Sequence, residues 1–298
     1  MGQEKLIRKF WLYNYLPSKI INLMELIRFE KPIGTLLLMW PCWYVLAISS
    51  YKQIKLYFLF IIGSFCMRSV GCIINDSFDR NIDQTIKRTA NRPLAAGKIK
   101  FYEAMILMVI FLLVSLLILL QFNFYAIIVA LFSMPLVIIY PLMKRYTHWP
   151  QLILGITFSW GVLVASFELF GTISTKIILL YIACIFWTLG YDTIYAYQDR
   201  DDDIKANLNS TAILFGNKGK FFVMLFYSLF IFFIWIATNL NEFVFSKTLI
   251  LFFLLICLLS YLNRWNINST SSSNSYFKFN NIIGLICYLY LFISSYYL

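Results

Sequence analysis

Histidine occurs once in this 298-residue chain, at His148, and no two cysteines form a CxxC pair. A Cys/His zinc site is thereby excluded. The six cysteines, Cys42, Cys66, Cys72, Cys184, Cys257 and Cys287, lie in or near apolar runs. Buried thiols of that kind behave as small hydrophobes, and no disulfide framework is called for. Charge is scarce too, at 13% of residues, about half of the ~25% usual in soluble domains. A water-soluble globule would lack the polar side chains to cover its surface. Disorder is excluded by a hydrophobic content of 61%, with 29 Phe, because disorder needs low hydrophobicity. The apolar runs do not alternate with polar residues, which excludes a transmembrane β-barrel. An all-α polytopic membrane protein remains, since apolar stretches of ~20 residues are what a bilayer core demands.

Nine spans are expected, at about 33–49, 56–75, 104–120, 124–142, 152–170, 177–197, 221–239, 245–262 and 279–297. Residues 1–32 read as a cytoplasmic or interfacial segment, with a short amphipathic helix over 18–30. Residues 33–298 read as one transmembrane domain. The net charge is +11, but its cations sit in short loops between spans rather than in a soluble patch, so nucleic acid is not the partner. Twenty of the 25 Lys and Arg fall on the side that holds the N-terminus, four on the other, and Arg68 lies inside a span. That bias places the N-terminus in the cytoplasm. No Arg/Ser-rich transit peptide precedes the first span, so a bacterial inner membrane is expected over a mitochondrial one. The Ser/Asn-rich stretch Ser269–Ser275 reads as an inert tether.

The chain has eight Asp, confined to two stretches that each end a span. Asp76, Asp79 and Asp83 stand in NDSFDRNID, and Asp192, Asp199, Asp201, Asp202 and Asp203 in DTIYAYQDRDDD. At ~100° per residue, Asp199 and Asp203 fall within roughly 20° of Asp192, and Asn75, Asp79 and Asp83 recur every fourth position. Carboxylates stacked on one face repel unless a cation sits between them. Oxygen ligands without His or Cys select Mg²⁺, Mn²⁺ or Ca²⁺. Two such faces would clamp a diphosphate through Mg²⁺. The plainer reading is helix-end charge at a membrane boundary, and it applies best to Asp201 and Asp202, which point away from the Asp199–Asp203 face. Lys87, Arg88, Arg92 and Lys98 follow the first cluster, and guanidinium groups bind phosphate in bidentate fashion. In YPLMKRYTHWPQ, Lys144 and Arg145 end the fourth span. They either snorkel to the interface or meet the diphosphate and an anionic acceptor. His148 reads as interfacial.

NDSFDRNID with KRTANRPL after it, YPLMKRYTHWPQ, DTIYAYQDRDDD with STAILFG after it, and RFEKPIGTLLLMWPCWY at Arg28–Tyr44 all stand along this one chain. Together they resemble the UbiA family of membrane prenyltransferases. The resemblance implies nine transmembrane helices around a central cavity that opens to the bilayer. It implies an Mg²⁺–diphosphate site at Asn75, Asp79, Asp83, Asp199 and Asp203, with Asp76 and Asp192 adjacent. It implies Lys144, with Lys87, Arg88 and Arg92, near the diphosphate, and Arg145 on the acceptor's carboxylate. The implied reaction transfers a polyprenyl group from polyprenyl diphosphate to the ring carbon ortho to the hydroxyl of 4-hydroxybenzoate, a step of ubiquinone synthesis. Trp187, Tyr191, Tyr195 and Tyr197 are candidates to face the allylic cation. Another aromatic or tetrapyrrole acceptor is the alternative within the family, and a divalent-cation transporter the alternative outside it.

Overall fold

A computed structural model describes residues 15–49, 53–86, 88–240 and 242–296. Lys87, one of the expected diphosphate ligands, lies outside the described residues. Those described form helices joined by loops, the longest between Thr85 and Phe101, with no strand among them. This is what apolar runs must do in lipid, where each backbone N–H and C=O has to be satisfied within its own segment.

Helix α1 (Ser18–Leu26) leads into α2 (Ile33–Ile48) and α3 (Ile54–Phe78), and a short helix α4 (Arg80–Thr85) follows. Next come α5 (Phe101–Leu119), then α6 (Phe124–Leu131) and α7 (Met134–Ile139) with a 3₁₀ segment Tyr140–Arg145. α8 (Pro150–Ser159) and α9 (Gly161–Phe170) make one span, and α10 (Thr175–Lys205) the next. α11 (Thr211–Phe215) leads into α12 (Gly219–Asn239), followed by α13 (Phe245–Asn263) and α14 (Thr270–Tyr296). Eight of the resulting helical spans are long and apolar enough to cross a bilayer. The ninth apolar helix, α2, has 16 residues and reaches about 24 Å at 1.5 Å per residue. The molecule is an all-α membrane protein of about nine spans.

The centre of the bundle is α10, which packs on α8, α12 and α14. Its apolar core is stitched by a buried polar knot in which Trp187 Nε1 (2.9 Å) and the Tyr227 hydroxyl (2.5 Å) both donate to Asn280 Oδ1. The seam between α2 and α14 closes where Gly284 leaves room for the Trp40 ring, and Trp40 Nε1 donates to Asn281 Oδ1 at 2.9 Å. The outer faces of α5 and α13 carry exposed Leu113, Leu117, Phe252 and Phe253, the surface a lipid-facing helix presents. The tether expected at Ser269–Ser275 is instead the opening of α14: Ser273 is fully buried and accepts from Trp265 Nε1 at 3.1 Å. Small hydroxyls fit a close helix seam, so a serine run there is packing rather than slack.

Candidate active site

α3 ends just before Asp79, but helical register continues across the break. The Asp79 N–H donates to the Asn75 carbonyl at 2.9 Å and the Asp83 N–H to the Asp79 carbonyl at 2.8 Å. Asn75, Asp79 and Asp83 therefore share one face, and all three line one cavity. The loop after α4 folds back over them: Thr89 Oγ1 donates to the Asp83 carbonyl (3.1 Å) and Gln84 Nε2 to the Ala95 carbonyl (3.0 Å). That fold returns Arg92 to the acids, where Nη1 donates to Asp83 Oδ2 at 2.7 Å and to Asp76 Oδ1 at 3.2 Å. Burial pushes the Asp83 carboxyl above the usual carboxylate range, against the pull of Arg92.

The second cluster rides on the uninterrupted α10, which brings Asp192, Asp199, Asp202 and Asp203 to the same cavity. The two clusters meet directly: Arg88 Nη2 lies 2.7 Å from Asp199 Oδ2. The other oxygen, Asp199 Oδ1, is buried with no hydrogen-bond partner, as is Gln198 Nε2 beside it. The third basic patch is tied in by backbone, the Asn209 N–H donating to the Lys144 carbonyl at 2.8 Å. Lys144 lines the cavity.

The cavity holds about 1190 Å³ and is two-sided in character. One end carries the acids and arginines. The other is walled by Leu59, Phe60, Gly63, Leu119 and Phe122 of α3, α5 and the turn after α5. A model of the UbiA prenyltransferase family matches residues 38–282.

The chain belongs to the UbiA prenyltransferase family. It is 47% identical over 201 residues to the mitochondrial 4-hydroxybenzoate polyprenyltransferase of Aedes aegypti, a match covering 66% of this chain and 46% of that protein. It is 42% identical over 213 residues to the 4-hydroxybenzoate octaprenyltransferase of Shewanella pealeana, covering 71% and 74%. The match thus spans about half the length of the insect relative. In three dimensions the chain superposes on a UbiA homologue from Archaeoglobus fulgidus bound to DMAPP and Mg²⁺, with a TM-score of 0.69, 20% identity and coverage of 93% and 100%. Relatives carry both bacterial and mitochondrial designations, so what stands of the expected location is a multi-spanning membrane protein.

The other expected site residues differ in their partners, and Asp76 and Asp192 line the same cavity. Asp76, 1% exposed, has both oxygens on Arg28 Nη2 at 2.8 Å as well as its contact with Arg92. Asp192 sits two turns deeper than Asp199, about 10 Å along the axis, with Lys144 and Arg68 as electrostatic neighbours. Arg145 stands outside the cavity lining and caps the end of α3, Nη2 donating to the Phe78 carbonyl at 2.9 Å and lying 3.6 Å from Asp79 Oδ1. Tyr191 and Tyr195 line the cavity, whereas Trp187 and Tyr197 belong to the core. His148 is exposed and off the cavity.

Other wall residues escape a reading by spacing. Asp202 lines the cavity although its spacing turns it from Asp199, and Asn274 and Lys278 of α14 line it from the supposed tether and just beyond it. Arg68 lies in mid-span on α3, faces the cavity and makes no ion pair among the described residues. A lone cation inside an apolar run is the available signal, since such a charge is expensive and marks function.

Proposed function

We propose that this protein transfers a polyprenyl group from polyprenyl diphosphate to the ring carbon ortho to the hydroxyl of 4-hydroxybenzoate. One observation carries the reading: acids more than a hundred residues apart face one cavity that is charged at one end and apolar at the other, bridged by Arg88 on Asp199. The named relatives act on 4-hydroxybenzoate.

The donor set fits magnesium. Asn75, Asp79, Asp83, Asp199 and Asp203 offer oxygen ligands, and Asp199 Oδ1 is buried without a partner. Among the described residues no three acidic, His or Cys side chains converge into a complete metal site. That suits an ion that takes one or two carboxylates and completes its shell with water and substrate phosphate. When bound, magnesium neutralises charge building on the departing diphosphate.

The chain's own groups do the rest. Arg88, Arg92 and Lys144 lie beside the acids and present N–H donors to phosphate oxygens. The apolar wall of α3 and α5 takes the tail, worth ~0.8 kcal/mol per buried CH₂. Arg68, without an ion-pair partner in the cavity, receives the acceptor's carboxylate, in place of Arg145. Tyr140, Tyr191 and Tyr195 offer ring faces to the allylic cation. The carbon–oxygen bond to diphosphate breaks, the ring carbon forms the new carbon–carbon bond, and the ring proton leaves to restore aromaticity.

The test is product mass spectrometry on the purified protein, with 4-hydroxybenzoate, a naphthoate or a tetrapyrrole offered beside a series of polyprenyl diphosphates. Mg²⁺-dependent prenyl-4-hydroxybenzoate is the expected product. Prenylation of another acceptor with none of 4-hydroxybenzoate would overturn the acceptor assignment, and absence of any prenylated product would overturn the reaction.

A further inference from the structure

Gly34 stands in the first turn of α2, within ordinary helix. Its backbone lies outside the left-handed region, so the turn does not demand glycine. A glycine inside a helix costs about 1 kcal/mol against alanine. The space it leaves has a specific tenant. A Cβ built at Gly34 would fall on Arg68 Nε and stand 3.1 Å from both Cζ and Nη2. The guanidinium Cζ also lies 6.0 Å from the centre of the Phe158 ring of α8. Arg68 thus lies against the bare backbone of α2 with an aromatic ring near it, and Gly34 and Phe158 both belong to the cavity lining.

We infer that Gly34 is a positioning residue for the acceptor: its missing side chain fixes where the Arg68 guanidinium lies, and thereby where an aromatic carboxylate is received. Arg68 is a flexible side chain, so a methyl at position 34 moves the guanidinium rather than the helices. The consequence is a displaced binding group in an intact fold. The inference rests on the reading that Arg68 meets the acceptor's carboxylate.

The experiment compares Gly34→Ala, Arg68→Lys and the double variant with the parent in detergent. It reads kcat, the KM for 4-hydroxybenzoate, the KM for the polyprenyl diphosphate, and Tm. Gly34→Ala is expected to raise the acceptor KM about tenfold, the scale of weakening one charge-assisted hydrogen bond. The prenyl diphosphate KM should stay at the parent value and Tm should not fall, since alanine is the better helix former; a merely structural role would lower Tm. In the Arg68→Lys background, where no guanidinium lies over α2, adding Gly34→Ala should change the acceptor KM less than twofold. Three results overturn the inference: an unchanged acceptor KM in Gly34→Ala, an equal rise in both KM values, or full additivity in the double variant. If Arg68→Lys alone leaves the acceptor KM unchanged, the reading beneath it fails and the inference with it. If Arg68→Lys raises that KM and Gly34→Ala does not, only the role of Gly34 is lost.

Discussion

Asp76 separates two physical roles that adjacent acids in one motif can play. Both its oxygens accept from Arg28 Nη2 at 2.8 Å, and Oδ1 accepts from Arg92 at 3.2 Å. Arg28 reaches it from a left-handed backbone, φ 60°, a conformation that costs roughly 1–2 kcal/mol for a side-chain-bearing residue. Its other nitrogen, Nη1, donates to the Glu25 carbonyl at 2.9 Å. The pair therefore pins the end of α1 to α3. Removing one partner of a buried ion pair costs about 3–5 kcal/mol. Arg92 keeps Asp83 and Arg28 keeps its carbonyl, so Asp76→Asn should fall below that range, at about 2–3 kcal/mol. At roughly 2 °C per kcal/mol for a chain of this size, the Tm in detergent without metal should fall by about 4–6 °C. Arg28→Gln should cost about as much, and the double variant little more than either, because they share one interaction. A metal ligand would behave oppositely: losing a buried acid would leave the metal-free Tm unchanged or higher, and the Mg²⁺ concentration for half-maximal activity would rise. That second pattern, or additive Tm losses, would refute the anchoring role.

Asp79→Asn and Asp199→Asn should each abolish product formation while leaving the metal-free protein folded by circular dichroism and size exclusion; wild-type turnover in both would sink the metal–diphosphate reading. Arg68→Met should raise the acceptor KM at least tenfold, a charge-assisted hydrogen bond being worth ~1.5–3 kcal/mol, whereas Arg145→Ala should move it less than Arg68→Met does; the reverse order returns the carboxylate to Arg145. Gly284→Ala should lower Tm by about 2–6 °C through overpacking worth ~1–3 kcal/mol, since a Cβ there would stand 2.6 Å from Trp40 Nε1 of a ring that cannot yield; an unchanged Tm would show the seam to be loose.

What the sequence displayed was whatever depends on local period. The apolar runs marked the spans, and the four-residue spacing of Asn75, Asp79 and Asp83 survived the end of α3 because the backbone hydrogen bonds carry across it. What it concealed depends on where chain segments return. Arg28 and Asp76 are 48 residues apart, and only the elbow after α1, with its left-handed residue, aims one at the other. Asp202 lines the cavity despite its angle because a wall built from several helices admits more than one stripe of each. The resemblance put Arg145 on the acceptor's carboxylate beside Lys144, and spacing could not show that in the tight Tyr140–Arg145 turn the two consecutive side chains diverge, one to the cavity and one to the end of α3. Serine content misled at Ser269–Ser275, since composition reports polarity and says nothing of a buried Ser273 hydroxyl that accepts from the Trp265 indole.

The interleaving of signs explains why the basic run KRTANR follows the first acid cluster directly. A cavity lined by acids alone would concentrate divalent metal but repel a diphosphate. One lined by arginines alone would bind phosphate and have no place for the metal. Here four of the acids that line the cavity have a guanidinium close by: Asp76 has Arg28 at 2.8 Å, Asp83 has Arg92 at 2.7 Å, Asp199 has Arg88 at 2.7 Å, and Asp79 has Arg145 at 3.6 Å. A metal–diphosphate pair carries both signs in the same alternation. On the proposed reading, taking it up would exchange one set of opposite-charge contacts for another, so these acids and arginines need not be stripped of partners, and a bare buried charge is the outcome a low-dielectric site penalises most. Among the acids of the cavity, Asp76 accepts from two guanidiniums, a compensation that favours the anchoring role its Tm test probes.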